Sequence, residues 1–418
     1  MQKIKSKIYN LLRWSQKYTK TDMVYLAEGG FWLTFGQIIS TIASFLLAIA
    51  FANLLSKETY GIYKYILSLT GLLAIPTLSG INTAVIQAVA RGYEGSLIPA
   101  LKTKVKWGLW GGLTSIILAG YYYFQGDTTL TLCFLIAAIF LPFMDSLVVY
   151  SSLLNGRKLF KISTKYDIIT QVIAVAAMMV TLFLTNNIFL IIFVYFIPHT
   201  LLRFIFLKIT LKKFRPNKKE DSKTISYGKH LSLMGVFDAI ASQIDKILIF
   251  HYLGAIELAI YAFAVVPIDQ IKGLFKNIHL LALPKFSQRT TEEIKKTIFK
   301  KILKLGLTIF IIVIIYIFIA PFVFKIFFPQ YLKSVSYSQI YAISLIAITV
   351  MLPIAALQSK SAKKELYQLN IYSSIIQIIV LLLFIYFYGL WGAIIARVLA
   401  RFISLGIAFS LFKLKKTK

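Results

Sequence analysis

Apolar residues run through this chain in long blocks, and polar residues gather between the blocks. A helix that crosses a bilayer needs ~20 mostly apolar residues. The blocks predict about twelve such helices: Gly30–Asn53, Ile66–Ala90, Trp107–Gln125, Leu130–Leu153, Ile168–Leu184, Ile188–Leu202, Leu231–Leu253, Leu258–Asn277, Leu305–Phe324, Ser338–Leu357, Leu366–Phe387 and Gly392–Phe412. The fourth, seventh, eighth and twelfth carry internal charges, and the last two are separated only by Tyr388 to Trp391. The pattern is that of an all-α membrane protein.

Lysine and arginine orient the predicted spans, because cytoplasmic loops are enriched in both. With the N-terminus inside, the outside loops hold only Lys57, Lys64, Lys325 and Lys333 of the 46 basic residues. Lys246, Lys272, Lys276, Arg397 and Arg401 fall within spans, and the rest lie inside. A miscounted span would invert the pattern downstream of the error, and no inversion occurs. Both termini are therefore expected in the cytoplasm.

The longest polar stretch, Lys208 to Lys229, contains Pro216 and has no apolar period, which predicts a basic cytoplasmic linker. It would divide an N-terminal six-helix lobe, residues 1–207, from a C-terminal six-helix lobe, residues 230–418. At one constant offset Ala43-Ser44 falls on Ala241-Ser242, Leu55 on Leu253, Ile62-Tyr63 on Ile260-Tyr261 and Arg91 on Arg289. Six spans is an even number, so the halves enter from the same side as a parallel repeat.

Composition narrows the function. The chain is 58% apolar and 15% charged, with mean hydropathy +0.76, where soluble domains are ~25% charged. The net charge of +30 is spread over every inside loop, which suits a cytoplasmic membrane surface and leaves no reason to expect a nucleic-acid partner. Cys133 is the single cysteine, and the four histidines lack metal-ligand spacing. No phosphate-binding GxxxxGK[ST] loop is present, so ATP is not expected to drive the protein directly, and no cofactor is expected. The GLWGG run, Gly108–Gly112, has the GxxxG spacing of close helix packing.

The intramembrane charges carry the candidate chemistry, since each costs ~2.5–3.5 kcal/mol at the bilayer centre. Asp245 and Lys246 fall near the middle of the seventh span, with Asp238 seven residues earlier on the same face. Asp269 lies mid-way along the eighth, followed by Lys272 and Lys276. Arg397 and Arg401 are one turn apart on the twelfth, and Asp145 lies in the inner third of the fourth. One reading makes these internal ion pairs, such as Asp269 with Lys272, that hold helices together. The other makes Asp238, Asp245, Lys246, Asp269 and Lys272 the wall of a polar pathway, with Arg91, Asp145, Arg397 and Arg401 as secondary members. Lysines there would replace the hydration of an anion. The carboxylates would bind a coupling proton or sodium ion, or merely balance the lysines.

Several of these segments resemble one family. An apolar helix, then LLSKETYGIY (Leu54–Tyr63), a Gly-Ile-Asn turn (Gly80–Asn82) and Ala90-Arg91 resemble the N-terminal signature of Wzx-type polysaccharide flippases. SQIDKILIFHYLGAIELAIYAFA (Ser242–Ala264) is similar to the family's seventh and eighth helices. The resemblance implies the MOP superfamily fold, two six-helix lobes around a central cavity that opens alternately to each side. It also implies translocation of a polyprenyl-diphosphate-linked oligosaccharide to the outer leaflet of a bacterial or archaeal cytoplasmic membrane, for O-antigen or capsule synthesis. A polysaccharide polymerase and a chain-length regulator are the partners it suggests, beside the membrane lipids. Two other readings are weaker. A cation-coupled multidrug exporter of the MATE branch would favour an acid inside Gly30–Asn53, which has none. A membrane polymerase needs a larger outside loop than Lys325 to Tyr337.

Overall fold

The computed structural model describes residues 23–275, 286, 289–360 and 362–414; Lys276 and the end of the eighth predicted span lie outside them. The described residues are helical, without strands: α1 (Met23–Leu54), α2 (Lys57–Leu73), α3 (Gly80–Ala90), α4 (Leu97–Phe124), α5 (Thr128–Met144), α6 (Val149–Gly156), α7 (Phe160–Leu184), α8 (Ile188–Phe214), α9 (Lys223–Met234), α10 (Val236–Leu253), α11 (Ala255–Phe275), α12 (Thr291–Phe327), α13 (Ser334–Ala342), α14 (Met351–Ser359) and α15 (Lys363–Leu414). A 3-10 stretch, Ile343–Val350, joins α13 to α14.

Side chains start several helices by taking orphan amide protons. Ser56 accepts from the Thr59 amide, Asp127 from Leu130, and Thr290 from Glu293, whose carboxylate returns the bond to the Thr290 amide. Interruptions fall where the backbone forces them. After α2, Pro76 and the positive φ of Leu78 turn the chain, and α2 and the segment Ile75–Ala90 meet at 41°. Gly389 (φ 55°, ψ −132°) folds α15 back on itself. Pro142, by contrast, lies inside α5, and Pro198 and Pro267 inside α8 and α11.

Each predicted apolar block is mostly helical among the described residues, with breaks between Leu73 and Gly80 and between Met144 and Val149, but length and composition license fewer spans. Among the described residues seven helices are long and apolar enough to cross a membrane, with the two limbs of α15 counted as one, or eight if the bent pair is one span. Asp238, Asp245 and Lys246 within eighteen residues keep α10 out of that set. Large apolar side chains such as Ile117, Phe318 and Phe322 are more than half exposed, which suits a lipid-facing exterior.

Close packing joins the first half of the chain to the second. A Cβ on Gly61 would stand 1.9 Å from the Ala255 carbonyl oxygen, so α2 and α11 touch backbone to backbone. Tyr65 stacks on Phe250 at 3.7 Å, Tyr60 packs on Phe263, and the Asn53 amide donates to the Phe327 carbonyl at 3.0 Å. Within the first half the GxxxG glycines serve packing, as expected: a Cβ on Gly108 would lie 2.9 Å from Pro142, and one on Gly112 3.0 Å from the Ala138 oxygen.

The stretch expected to be an aperiodic linker differs from that picture. Helix α8 runs on to Phe214 and α9 begins at Lys223, so only residues 215–222 lack helix. Those residues are bonded to the turn before α4. Arg157 pairs with Glu94 through two 2.6 Å bonds and donates to the Phe214 carbonyl at 2.8 Å. The Asn217 amide donates to Glu94, Asn217 Nδ2 to the Gly92 carbonyl, and Gly95 to the Lys219 carbonyl. Polar composition signalled exposure to water, and it was the specific partners that ordered the segment.

Candidate functional site

The fold at Gly389 places the charged cluster. The second limb of α15 returns so closely along the first that a Cβ on Gly392 would meet the Phe384 carbonyl at 1.8 Å. The return brings Arg397 and Arg401 against α10 and α11. One helical turn is ~6 Å for four residues, and the two arginines pair with acids on different helices. Arg397 Nη2 lies 3.0 Å from Asp245 Oδ2, to which the Tyr261 hydroxyl also donates at 2.5 Å. Asp245 is wholly buried. Arg401 Nη2 lies 3.5 Å from Asp269 Oδ1; its guanidinium also donates to Ser344 at 2.6 Å and Tyr341 at 2.5 Å.

These pairs replace the ones expected from chain neighbours. Asp245 is partnered by Arg397, not by adjacent Lys246, whose ammonium donates to Gln243 Oε1 at 3.0 Å. Asp269 is partnered by Arg401, and no ion pair to Lys272 within 4.0 Å is found among the described residues. Adjacent residues on a helix point about 100° apart, which turns Lys246 away from Asp245; Asp269 and Lys272 are three apart and close enough to pair, and there Arg401 takes the carboxylate instead. Lys272 stays within electrostatic reach of Asp269, Arg401 and Asp238, and Asp238 is exposed. The five primary residues and both arginines thus converge on one region. Asp269 keeps about half its side-chain surface open, where Asp245 keeps none.

One member went unseen in the sequence. Lys64 was assigned to an outside loop because the second span was taken to begin at Ile66. Helix α2 begins at Lys57, which carries Lys64 two turns in, within electrostatic reach of Lys246 and Asp269. It is the first half's contribution to the cluster. Tyr261, Tyr341 and Gln243 were also missed, since 24 tyrosines give no contrast. No His, Cys, Asp or Glu group able to hold a metal ion occurs among the described residues.

The remaining secondary candidates lie elsewhere. Arg91 is exposed and pairs with Asp221 at 2.7 Å on the 215–222 segment, so it belongs to the ordered linker and not to the cluster. The Lys223 amide and then Arg91 hold the Asp221 carboxyl below its usual range. In the same network the hydrogen bonds from Arg157 hold the Glu94 carboxyl down against the opposing effect of burial. Asp145 caps α5 in a second group, within the first half. Lys104, fully buried, lies near Asp145 and Arg203, and its ammonium has no hydrogen-bond partner among the described residues. Arg203 donates to the Met144 carbonyl at 2.8 Å. Lys104 had looked like loop charge because the third span was begun at Trp107, whereas α4 begins at Leu97.

The same half holds a cavity of about 240 Å³ between α1, α2, α7 and α8. Tyr63, Gln171, Tyr195 and His199 supply its polar lining and Leu47, Ala174, Val175, Met178 and Val194 the apolar part.

Comparison with known proteins agrees with this architecture. Among solved structures the chain is similar to a multidrug resistance MATE family transporter of the MOP superfamily in an outward-facing conformation, with TM-score 0.65 and 12% identity over 92% of this chain and 94% of that one. It is equally similar to an inward-facing form (TM-score 0.65, 14% identity, 90% and 94% covered). A MOP superfamily transporter from Pyrococcus furiosus, described as having a binding pocket of reversed polarity that suggests a different function, matches with TM-score 0.60 and 14% identity over 92% and 95%. At such identities the likeness establishes a MATE-like fold, and with the apolar helices it makes this a multi-pass membrane protein. No curated protein sequence matches. A model described as polysaccharide biosynthesis protein matches residues 26–290, well over half of the chain. The chain belongs to the polysaccharide biosynthesis protein family.

Proposed function

We propose that this protein is a flippase of the Wzx type, carrying polyprenyl-diphosphate-linked oligosaccharide from the cytoplasmic to the outer leaflet by alternating access between two six-helix lobes. The observation that carries the reading is the sign of the interior. Among the described residues five cations, Lys64, Lys246, Lys272, Arg397 and Arg401, gather around three acids, Asp238, Asp245 and Asp269. A surplus of cations suits a diphosphate and opposes a cationic drug.

The geometry divides the labour. Arg397 is held by Asp245, and Arg401 by Tyr341 and Ser344, so both guanidinia are oriented before any ligand arrives. Asp269 neutralises part of the site's positive charge; a phosphate would displace it from Arg401 and draw in the three lysines. Lys64 comes from the first half and the others from the second, so relative motion of the halves changes the site's affinity, as alternating access requires. A proton or sodium gradient would act through Asp238 or Asp269, which are exposed, rather than through sealed Asp245. A polymerase and chain-length regulator would use the product outside.

The test is complementation of a strain lacking its only flippase, with leaflet location of the lipid-linked oligosaccharide as readout. Wild type should restore outer-leaflet substrate, and Lys246→Gln with Lys272→Gln should not, at equal membrane abundance. Full activity of that double variant would refute the role of the cluster. Failure of wild type to move the lipid would refute the flippase reading.

A further inference from the structure

Resting on the translocation reading, we propose that the cavity in the first half is a subsite for one neutral sugar ring, separate from the basic cluster. Size is the first argument. About 240 Å³ falls below the ~300–1,000 Å³ of sites for drug-sized ligands, and matches a single sugar ring rather than an oligosaccharide. The lining is the second. It combines two phenols, an amide and an imidazole with an apolar wall, and it includes no charged residue. Hydroxyls of a pyranose take bonds from such groups, and its C–H faces lie against aromatic and aliphatic surface.

Preorganisation is the third argument. Gln171 is oriented by its 3.3 Å bond to Ser44, and Tyr195 by edge contacts with Tyr63 and His199. The polar groups are thus positioned before a ligand arrives. A diphosphate is disfavoured here, since its charge would meet no cation in the lining.

The test uses the purified full chain in detergent and a panel of methyl glycosides: a hexose, an N-acetylhexosamine, a 6-deoxyhexose and a hexuronic acid. Saturation-transfer NMR reads binding without any translocation. At least one neutral glycoside should give signal, and the hexuronate none. Ala174→Trp, which fills the cavity, should abolish that signal. Gln171→Leu and His199→Phe, which keep its bulk, should weaken it at least tenfold. Thermal melting shows which variants remain folded. Absence of binding by every neutral glycoside, or signal that survives Ala174→Trp in folded protein, overturns the proposal. Lys246→Gln with Lys272→Gln should leave glycoside binding intact. A protein that binds the glycoside yet moves no lipid would refute the flippase reading and leave the subsite standing.

Discussion

The pairing of Asp245 with Arg397 makes a quantitative prediction. At 3.0 Å the attraction is ~5–6 kcal/mol for an effective dielectric constant of ~20, and desolvation of both groups offsets much of it. Arg397→Gln removes the cation and leaves the wholly buried carboxylate with the Tyr261 hydroxyl as its remaining close partner. The expected loss is ~3–5 kcal/mol, most of it the cost of stranding a buried charge. Asp245→Asn with Arg397→Gln removes both charges, so no buried ion is stranded, and should return most of the lost stability, since paired neutral replacement is often neutral. Lys246→Gln, which only breaks a bond to Gln243, should cost ~1 kcal/mol or less. Equilibrium unfolding in mixed detergent measures all three, with membrane abundance as a parallel readout. If Lys246→Gln is as damaging as Arg397→Gln, or if the double variant is no more stable than the single, the pair assignment is wrong.

Three further outcomes can be checked. Cysteine at Ser222 should react with an impermeant reagent only from the cytoplasm, and cysteine at Thr128 only from outside; reversal at either site would overturn the orientation. The Glu94 carboxyl is held below its usual value by Arg157, so the stability it contributes is complete above the ordinary carboxylate pKa of ~4.3 and is lost as pH falls through the lowered folded value. The melting temperature of Glu94→Gln should therefore start lower at neutral pH and fall less than that of wild type between about pH 5 and 3; parallel curves would count against it. Gly61→Ala would push a methyl into the Ala255 carbonyl, and overpacking of this kind costs ~1–3 kcal/mol. Reduced membrane abundance should follow, and an unchanged level would mean that α2 and α11 separate freely.

Much of the site was visible in the chain because a charge within an apolar block is conspicuous whatever surrounds it. Asp245, Lys246, Asp269, Lys272, Arg397 and Arg401 stood out for that reason. Lys64 and Lys104 did not, because both lie a few residues outside the apolar blocks, and only the true helix starts at Lys57 and Leu97 carry them inward. His199 was legible only as one of four histidines without metal-ligand spacing. That it borders a cavity with Tyr63 and Gln171 depends on α2 packing beside α7 and α8, about a hundred residues later in the chain.

Apolar block length was enough to predict a helical membrane protein, because transfer of each residue into lipid is a local property that sums along the chain. Local motifs pointed to the polysaccharide biosynthesis family at the coarse level, and GxxxG to close packing. Partner choice was decided by the tertiary structure alone. The reversal at Gly389 sets Arg397 on Asp245 and Arg401 on Asp269, and specific bonds hold residues 215–222 to the turn before α4. Pairing energies fall steeply with distance, and distances between helices are set by how whole faces pack, which no segment of the sequence contains by itself.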